Sequence, residues 1–288
     1  MMRAYYIVAG KKFHREDIAS SETLHDVSSK ADWLWVDCSD LDDKETMILS
    51  EFFGIASNIL NNVKKGKFQP SCERYRGYIL IAVPFVEFEN ALQLHPISMI
   101  MKEKILVTSR NSYSSKLIDK VVETLEGYIV EGEEANVSFI ISRLFREVAD
   151  ENSKAMMSIK ERIDKIEEEA LERPSDKSIA RSVFKLKREI FTLHRLLWVE
   201  KELMSDVKEC VVPHVEPNEE EKMIVDDAIN DIDRELQFVD SYGNTLDSIL
   251  RLLDLGLIHN VEKTLIFLTS IILVLDLILL ALAAIGRI

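Results

Sequence analysis

Cysteine and histidine are scarce in this chain. Of its 288 residues only Cys38, Cys72 and Cys210 are cysteines, and no two of them form a C-x-x-C pair. That excludes a disulfide framework, and scattered thiols fit a reducing compartment. The six histidines are dispersed, with no H-E-x-x-H or comparable zinc spacing. A glycine-rich phosphate loop and a G-x-S-x-G elbow are also lacking. The usual sequence footholds for nucleotide hydrolysis, acyl transfer and zinc catalysis are therefore missing, and no enzyme activity is expected. The opening "MMRAYYIVAGKKF" has a short apolar run and no cleavage-type tail, so no signal peptide is expected there. Positive charge is in deficit: 36 Lys and Arg stand against 50 Asp and Glu, a net charge of −14. Such a surface repels a phosphate backbone, which argues against nucleic acid as a partner, and it suits cations.

Long apolar runs are lacking too, with one exception. From 264 to 286 every residue is apolar or small except Thr264, Thr269, Ser270 and Asp276. As a helix this stretch is about 34 Å long, enough to cross a bilayer core. Its many Leu, Ile and Val residues, at about −0.3 to −0.6 kcal/mol each, outweigh the roughly 2.5–3.5 kcal/mol cost of one central carboxylate. The stretch predicts a single transmembrane helix acting as a C-terminal anchor. The large N-terminal part is then expected on the cytoplasmic side of the cell membrane.

What is present is a change of pattern along the chain. Residues 1–112 read as a mixed α/β domain. "AYYIVA", "WLWVDC", "YILIAVPFVEF", "HPISMIMKE" and "KILVTSR" are β-rich runs, and "DKETMILSEFFGI" has helical spacing that closes at Gly54. From 113 to 215 the chain turns helical and charged. Two long helices are expected on either side of the "RPSD" turn at 173–176, and "VVPHVEPNEEE" leads into a third. That third helix meets only Gly243 and Gly256, each tolerable within a helix. Running from about 218 to 286 it is on the order of 100 Å long. The expected fold is α+β: a soluble domain, long charged helices, a stalk over 216–263 and a membrane helix over 264–286. Such a stalk implies partner helices.

The stalk carries an acidic ladder. Asp226, Asp233, Asp240, Asp247 and Asp254 recur every seven residues, on one stripe that drifts about 20° per step. Glu262 follows, and Glu262, Thr269 and Asp276 again continue at sevens. For the soluble part, a solvated helix face competes with an axis-facing stripe. In lipid, an intramembrane carboxylate faces a bundle interior or a watery cavity, and several copies around an axis form a cation-selecting ring. One Asp bonding across a helix pair is the competing reading.

These segments resemble the CorA family of divalent-cation, chiefly magnesium, channels. "WLWVDCSD" with "LSEFFGI" is similar to that family's early strand and helix. "FQPSCERYRGYILIAV" resembles its Q-R-P-K-x-E segment, with Ser71 and Cys72 departing from the usual basic region. "IDKIEEEALERPSDKSIARSVFKLKREIFTLHRLLWVEKELMSDV" resembles its paired helices, and "FVDSYGNTLDSILRLLDL" its stalk. The resemblance implies a homopentameric funnel with the first membrane helix lining the pore. It implies Mg²⁺ both as the ion carried and as a regulatory ligand held by hard oxygens. The strand acid of the family's sensor falls on Glu89, and its stalk counterpart on the neutral Asn230, flanked by Asp227 and Asp231, either of which is expected to stand in as a metal ligand beside Glu89. Asp254 matches the acid near the funnel's narrow end. In the pore, Asp276 and Glu262 are the expected acidic rings, Thr269 a polar position between them, and Leu265 and Leu273 the hydrophobic constrictions. The family's G-M-N tripeptide and second membrane helix do not occur in this sequence, which closes on "ALAAIGRI". Two functions stay open: a divalent-cation channel with Asp276 as its filter, or a membrane-anchored, non-conducting regulatory or truncated form. The lipid bilayer, divalent cations and further copies of the chain are the expected partners.

Overall fold

The structure, a computed structural model, describes residues 1–8 and 12–285. Gly286, the expected end of the apolar span, lies outside the described residues. The N-terminal region is a seven-stranded sheet formed by β1 (Met2–Val8), β2 (Lys12–Asp17), β3 (Trp33–Ser39), β4 (Ser71–Tyr75), β5 (Tyr78–Phe88), β6 (Leu92–Lys102) and β7 (Ile105–Arg110), in the order β2-β1-β3-β7-β6-β5-β4. Only β3 and β7 pair in parallel, from Leu34 opposite Ile105 to Ser39 opposite Arg110; the other pairings are antiparallel. A central strand buried on both faces reads as a continuous apolar run, and Trp33 to Cys38 of β3 are all buried. At the edge, β2 ("KFHRED") is exposed and charged, which blunts pairing with other chains.

Three helices, α1 (Ser21–Lys30), α2 (Asp43–Phe53) and α3 (Ser57–Lys65), contribute Leu24, Leu49, Leu60 and their neighbours to a core shared with Leu34, Val36 and Val107. Helix α2 starts in a capping box, Asp42 and Glu45 satisfying each other's backbone amides, and stops at Gly54 with φ 66°. Deeper in the sheet, Trp35 Nε1 donates to Thr108 Oγ1 at 3.1 Å, Thr108 donates to Asp37 at 2.7 Å, and Arg110 grips Asp37 at 2.8 Å. This network ties the parallel pair together.

The rest is helical: α4 (Ser115–Val130), α5 (Val137–Glu172), α6 (Lys177–Lys208) and α7 (Glu219–Ile285). Helix α7 has 67 residues and is therefore about 100 Å long. Asn218 and Glu221 form its capping box, and Glu219 to Glu221 place negative charge where the helix dipole favours it. The chain forms two compact units, Met1–Ile159 with Phe191–Val239, and Lys160–Ile190 with α7 from Asp240 onward. In the second unit, the turn between α5 and α6 lies against α7. A Cβ added at Gly256 would come within 2.5 Å of Pro174 Cβ and 2.6 Å of its carbonyl oxygen. Glycine is required there because the two backbones approach closely.

Candidate cation-handling residues

Every described side chain of α7 from Leu257 to Ala281 is exposed, including Leu265 and Leu273. At 100° per residue, Leu265, Asp276, Thr269, Glu262 and Leu273 fall within an arc of about 80° on the helix surface. All five expected pore residues therefore share one face, spread over roughly 21 Å along the axis. The hydroxyls of this segment are satisfied by their own helix. Thr264 donates to the Asn260 carbonyl at 2.9 Å, Thr269 to Leu265 at 2.8 Å and Ser270 to Ile266 at 2.8 Å. Such back-bonding leaves each hydroxyl oxygen able to accept. Just before this segment, His259 Nδ1 lies 3.7 Å from Glu262.

The acidic ladder is not a bare solvated face. In the first unit Asp226 meets Lys208 at 2.7 Å and Asp233 meets Lys201 at 2.6 Å; in the second, Asp247 meets Lys187 at 2.5 Å. These lysines, with His194, recur at sevens along α6, so within each unit lysines of α6 meet ladder aspartates of α7. The sequence signal was that second heptad of basic residues. Further along, Asp254 is exposed and lines a small cavity of about 160 Å³ with Pro174, Asp176, Lys177 and Leu257.

Glu89 lies just beyond β5 in the tight β5–β6 connection, exposed at the mouth of a cavity of about 690 Å³. The same cavity is lined by Lys116, Lys120, Lys154 and Glu151. Lys120 binds Glu147 at 2.9 Å, and Lys154 binds Glu151 at 2.5 Å. Nearby, His95 is buried between the rings of Phe85 and Tyr113, with Nε2 3.0 Å from Glu87. On α7, Asp227 is exposed, whereas Asp231 is held by Arg146 at 2.8 Å and by Arg234. Arg146 also binds Asp150 at 2.7 Å. Among the described residues no ion pair or hydrogen bond joins Glu89 to Asp227 or Asp231, and no three His, Cys, Asp or Glu side chains of the one chain converge as metal ligands do. The acids expected to bind metal are therefore dispersed along the chain among the described residues.

A sequence model of the family described as CorA-like Mg2+ transporter protein matches residues 30–277, a span that takes in Glu89, the acidic ladder and Asp276. The chain belongs to the CorA-like Mg2+ transporter family. One relative is the cobalt/magnesium transport protein CorA of Thermotoga maritima, 23% identical over 267 residues, 90% of this chain and 72% of the relative. The complete structure of the CorA magnesium transporter from Methanocaldococcus jannaschii has a similar fold, with a TM-score of 0.72 at 18% identity over 94% of this chain and 82% of that one. The ZntB cytoplasmic domain from Vibrio parahaemolyticus is similar at a TM-score of 0.62 and 12% identity, over 91% and 98% of the two chains. The fold is thus that of CorA structures: a mixed α/β N-terminal domain followed by long helices. Its last helix, α7, is the candidate membrane span.

Proposed function

We propose that this chain is a divalent-cation channel of the cell membrane, carrying Mg²⁺ or Co²⁺ through a pore lined by the C-terminal part of α7 in a homopentamer. The observation that carries this reading is the exposed apolar end of α7 with Asp276 at its centre. A carboxylate in lipid is costly unless it faces an axis shared with other copies, where it attracts cations. The stretch before the membrane supports assembly. Leu255, Ile258 and Val261 are 56–67% exposed on the stalk, an apolar surface that other copies would cover. In this arrangement Glu262 forms the cytoplasmic-side ring, Leu265 and Leu273 the constrictions that gate by dewetting, and Thr269 a polar step between them. The N-terminal domain faces the cytoplasm.

Regulatory Mg²⁺ would be held between copies, because a hard cation takes several oxygen ligands and the single chain gathers too few. Glu89 of one protomer and Asp227 of another are the ligands. Asp231, engaged by Arg146 and Arg234, orients that surface. Asp254 rings the narrow end of the stalk. The test is flux of Mg²⁺ and Co²⁺ into liposomes holding the full chain beside its Asp276→Ala variant. We expect flux from the unmodified chain, and a loss of tenfold or more, about 1.4 kcal/mol of barrier, with selectivity over monovalent ions gone in the variant. No flux from the unmodified chain would replace this reading with a non-conducting, membrane-anchored form.

A further inference from the structure

Among the buried carboxyl groups of the first unit, two that the cation path does not use each have an oxygen without a partner. Glu200 of α6 is 0% exposed and Glu235 of α7 is 3% exposed. Each has one oxygen satisfied. Asn152 of α5, itself fully buried, donates its Nδ2 to Glu200 Oε2 at 2.8 Å, while its Oδ1 accepts the Val86 amide of β5 at 2.9 Å. Ser153 donates to Glu235 Oε1 at 2.5 Å. Asn152 is thereby fixed in one orientation, with its amide N–H toward the carboxyl. The other two oxygens, Glu200 Oε1 and Glu235 Oε2, are buried without a hydrogen-bond partner.

An ionised carboxylate enclosed in this way is strongly disfavoured, and a neutral carboxyl is the state that burial permits. The surroundings reinforce this. Glu200 is pushed well above the usual carboxylate range by burial and then by the charge of Glu235; the Asn152 hydrogen bond opposes the shift. Glu235 is pushed up to about 7, chiefly by burial, with Asp231 and Asp150 adding to the shift and Ser153 and Arg234 opposing it. β5 contributes the Val86 backbone amide, which is bonded to Asn152. Arg234 is a cation that acts on Glu235, and among the described residues no three His, Cys, Asp or Glu side chains converge as a metal ion would need. A proton is the cation that fits.

We propose that the Glu200–Glu235 pair binds a proton which the folded protein keeps at neutral pH, and that this proton holds α6 and the stalk helix α7 together against α5. Because these carboxyls titrate higher in the folded protein than the 4.5 of a free Glu side chain, the folded state keeps protons that the unfolded chain has released. Below the unfolded value both states are protonated and the pair carries no penalty. Stability then falls as pH rises from the unfolded value through about 7 for Glu235, and Glu200, raised by burial in the same direction, adds a fall of the same sign. The stalk is thus fastened more tightly in acid than in alkali, whether or not the chain conducts.

The experiment uses the full chain in nanodiscs, in an Asp276→Asn background so that the membrane carboxyl contributes nothing. Thermal midpoints are read from about pH 5 to about pH 8 beside Glu235→Gln, which keeps the acceptor for Ser153 but cannot ionise. Expected is a midpoint that falls by several degrees in the parent and a visibly shallower fall in the variant. Equal slopes overturn the proposal. In parallel, the infrared carbonyl band of a protonated carboxyl at neutral pH should be present in the parent and reduced in Glu200→Gln. If that variant does not fold, the parent is titrated alone: loss of the band as pH rises supports the buried proton, and its absence at neutral pH overturns it.

Discussion

Helix α7 is one continuous backbone with two unlike halves. Up to Leu253 it buries Val225, Ala228, Ile232, Val239, Leu246, Ile249 and Leu253 at helical spacing, and three of its ladder aspartates meet lysines of its own chain. From Leu257 to Ala281 nothing is buried, although this is the more apolar half. The inversion separates two kinds of hydrophobicity. In the first half apolar residues form a stripe that the chain covers itself, so burial and propensity act together. In the second half they surround the helix on all sides, which only lipid or other chains can cover. Asp276 matters for the same reason: among the described residues none of its own chain meets it in an ion pair or hydrogen bond, and it lies in the apolar half.

The comparison is tested most strongly by truncating one residue in each half. Ile232→Ala removes a fully buried side chain and should cost about 2–5 kcal/mol, read as a lower unfolding midpoint of the full chain in detergent. Leu268→Ala, in the exposed half, should leave that midpoint unchanged within about 0.5 kcal/mol. Equal losses would mean that the second half is packed against its own chain after all. A smaller effect is expected at the border. Gly256→Ala places a methyl against Pro174 and should cost about 1–3 kcal/mol, with faster proteolytic cleavage at the 173–176 turn. Unchanged cleavage would show that the close approach does not matter. The smallest effect belongs to the ladder. Lys201→Ala breaks a half-exposed pair with Asp233 and should cost about 0.2–1 kcal/mol, less at high salt. A larger, salt-insensitive loss would mean the lysine acts by packing its stem rather than by charge.

Much of this architecture was legible residue by residue. "YILIAVPFVEF" is β5 itself, the α5–α6 hairpin turns at "RPSD", and α7 passes through Gly243 and Gly256 unbroken. Strong apolar periodicity and proline-marked ends act locally, so they can be read locally. Four elements escaped that reading for equally physical reasons. The edge strand β2 has almost no apolar alternation. The helices α1 and α3 bury only two residues each and depend on the sheet beneath them, and β4 is short and half exposed. At the candidate site, the shared face of Leu265, Thr269, Asp276, Glu262 and Leu273 was readable because a helix repeats with a fixed period. The lysines facing the ladder, the Arg146 clasp on Asp231 and the enclosure of Glu200 and Glu235 were not, since each depends on which residues of distant helices come side by side.

By itself, then, the sequence determined the helix lengths, the single apolar segment with its central aspartate, and the heptad of acids, all properties of neighbours along one chain. Only the tertiary structure decided which acids are neutralised, which are buried and which stay exposed. Burial and pairing are set by contacts between residues tens of positions apart, and a carboxylate's charge is stable only in the surroundings those contacts create.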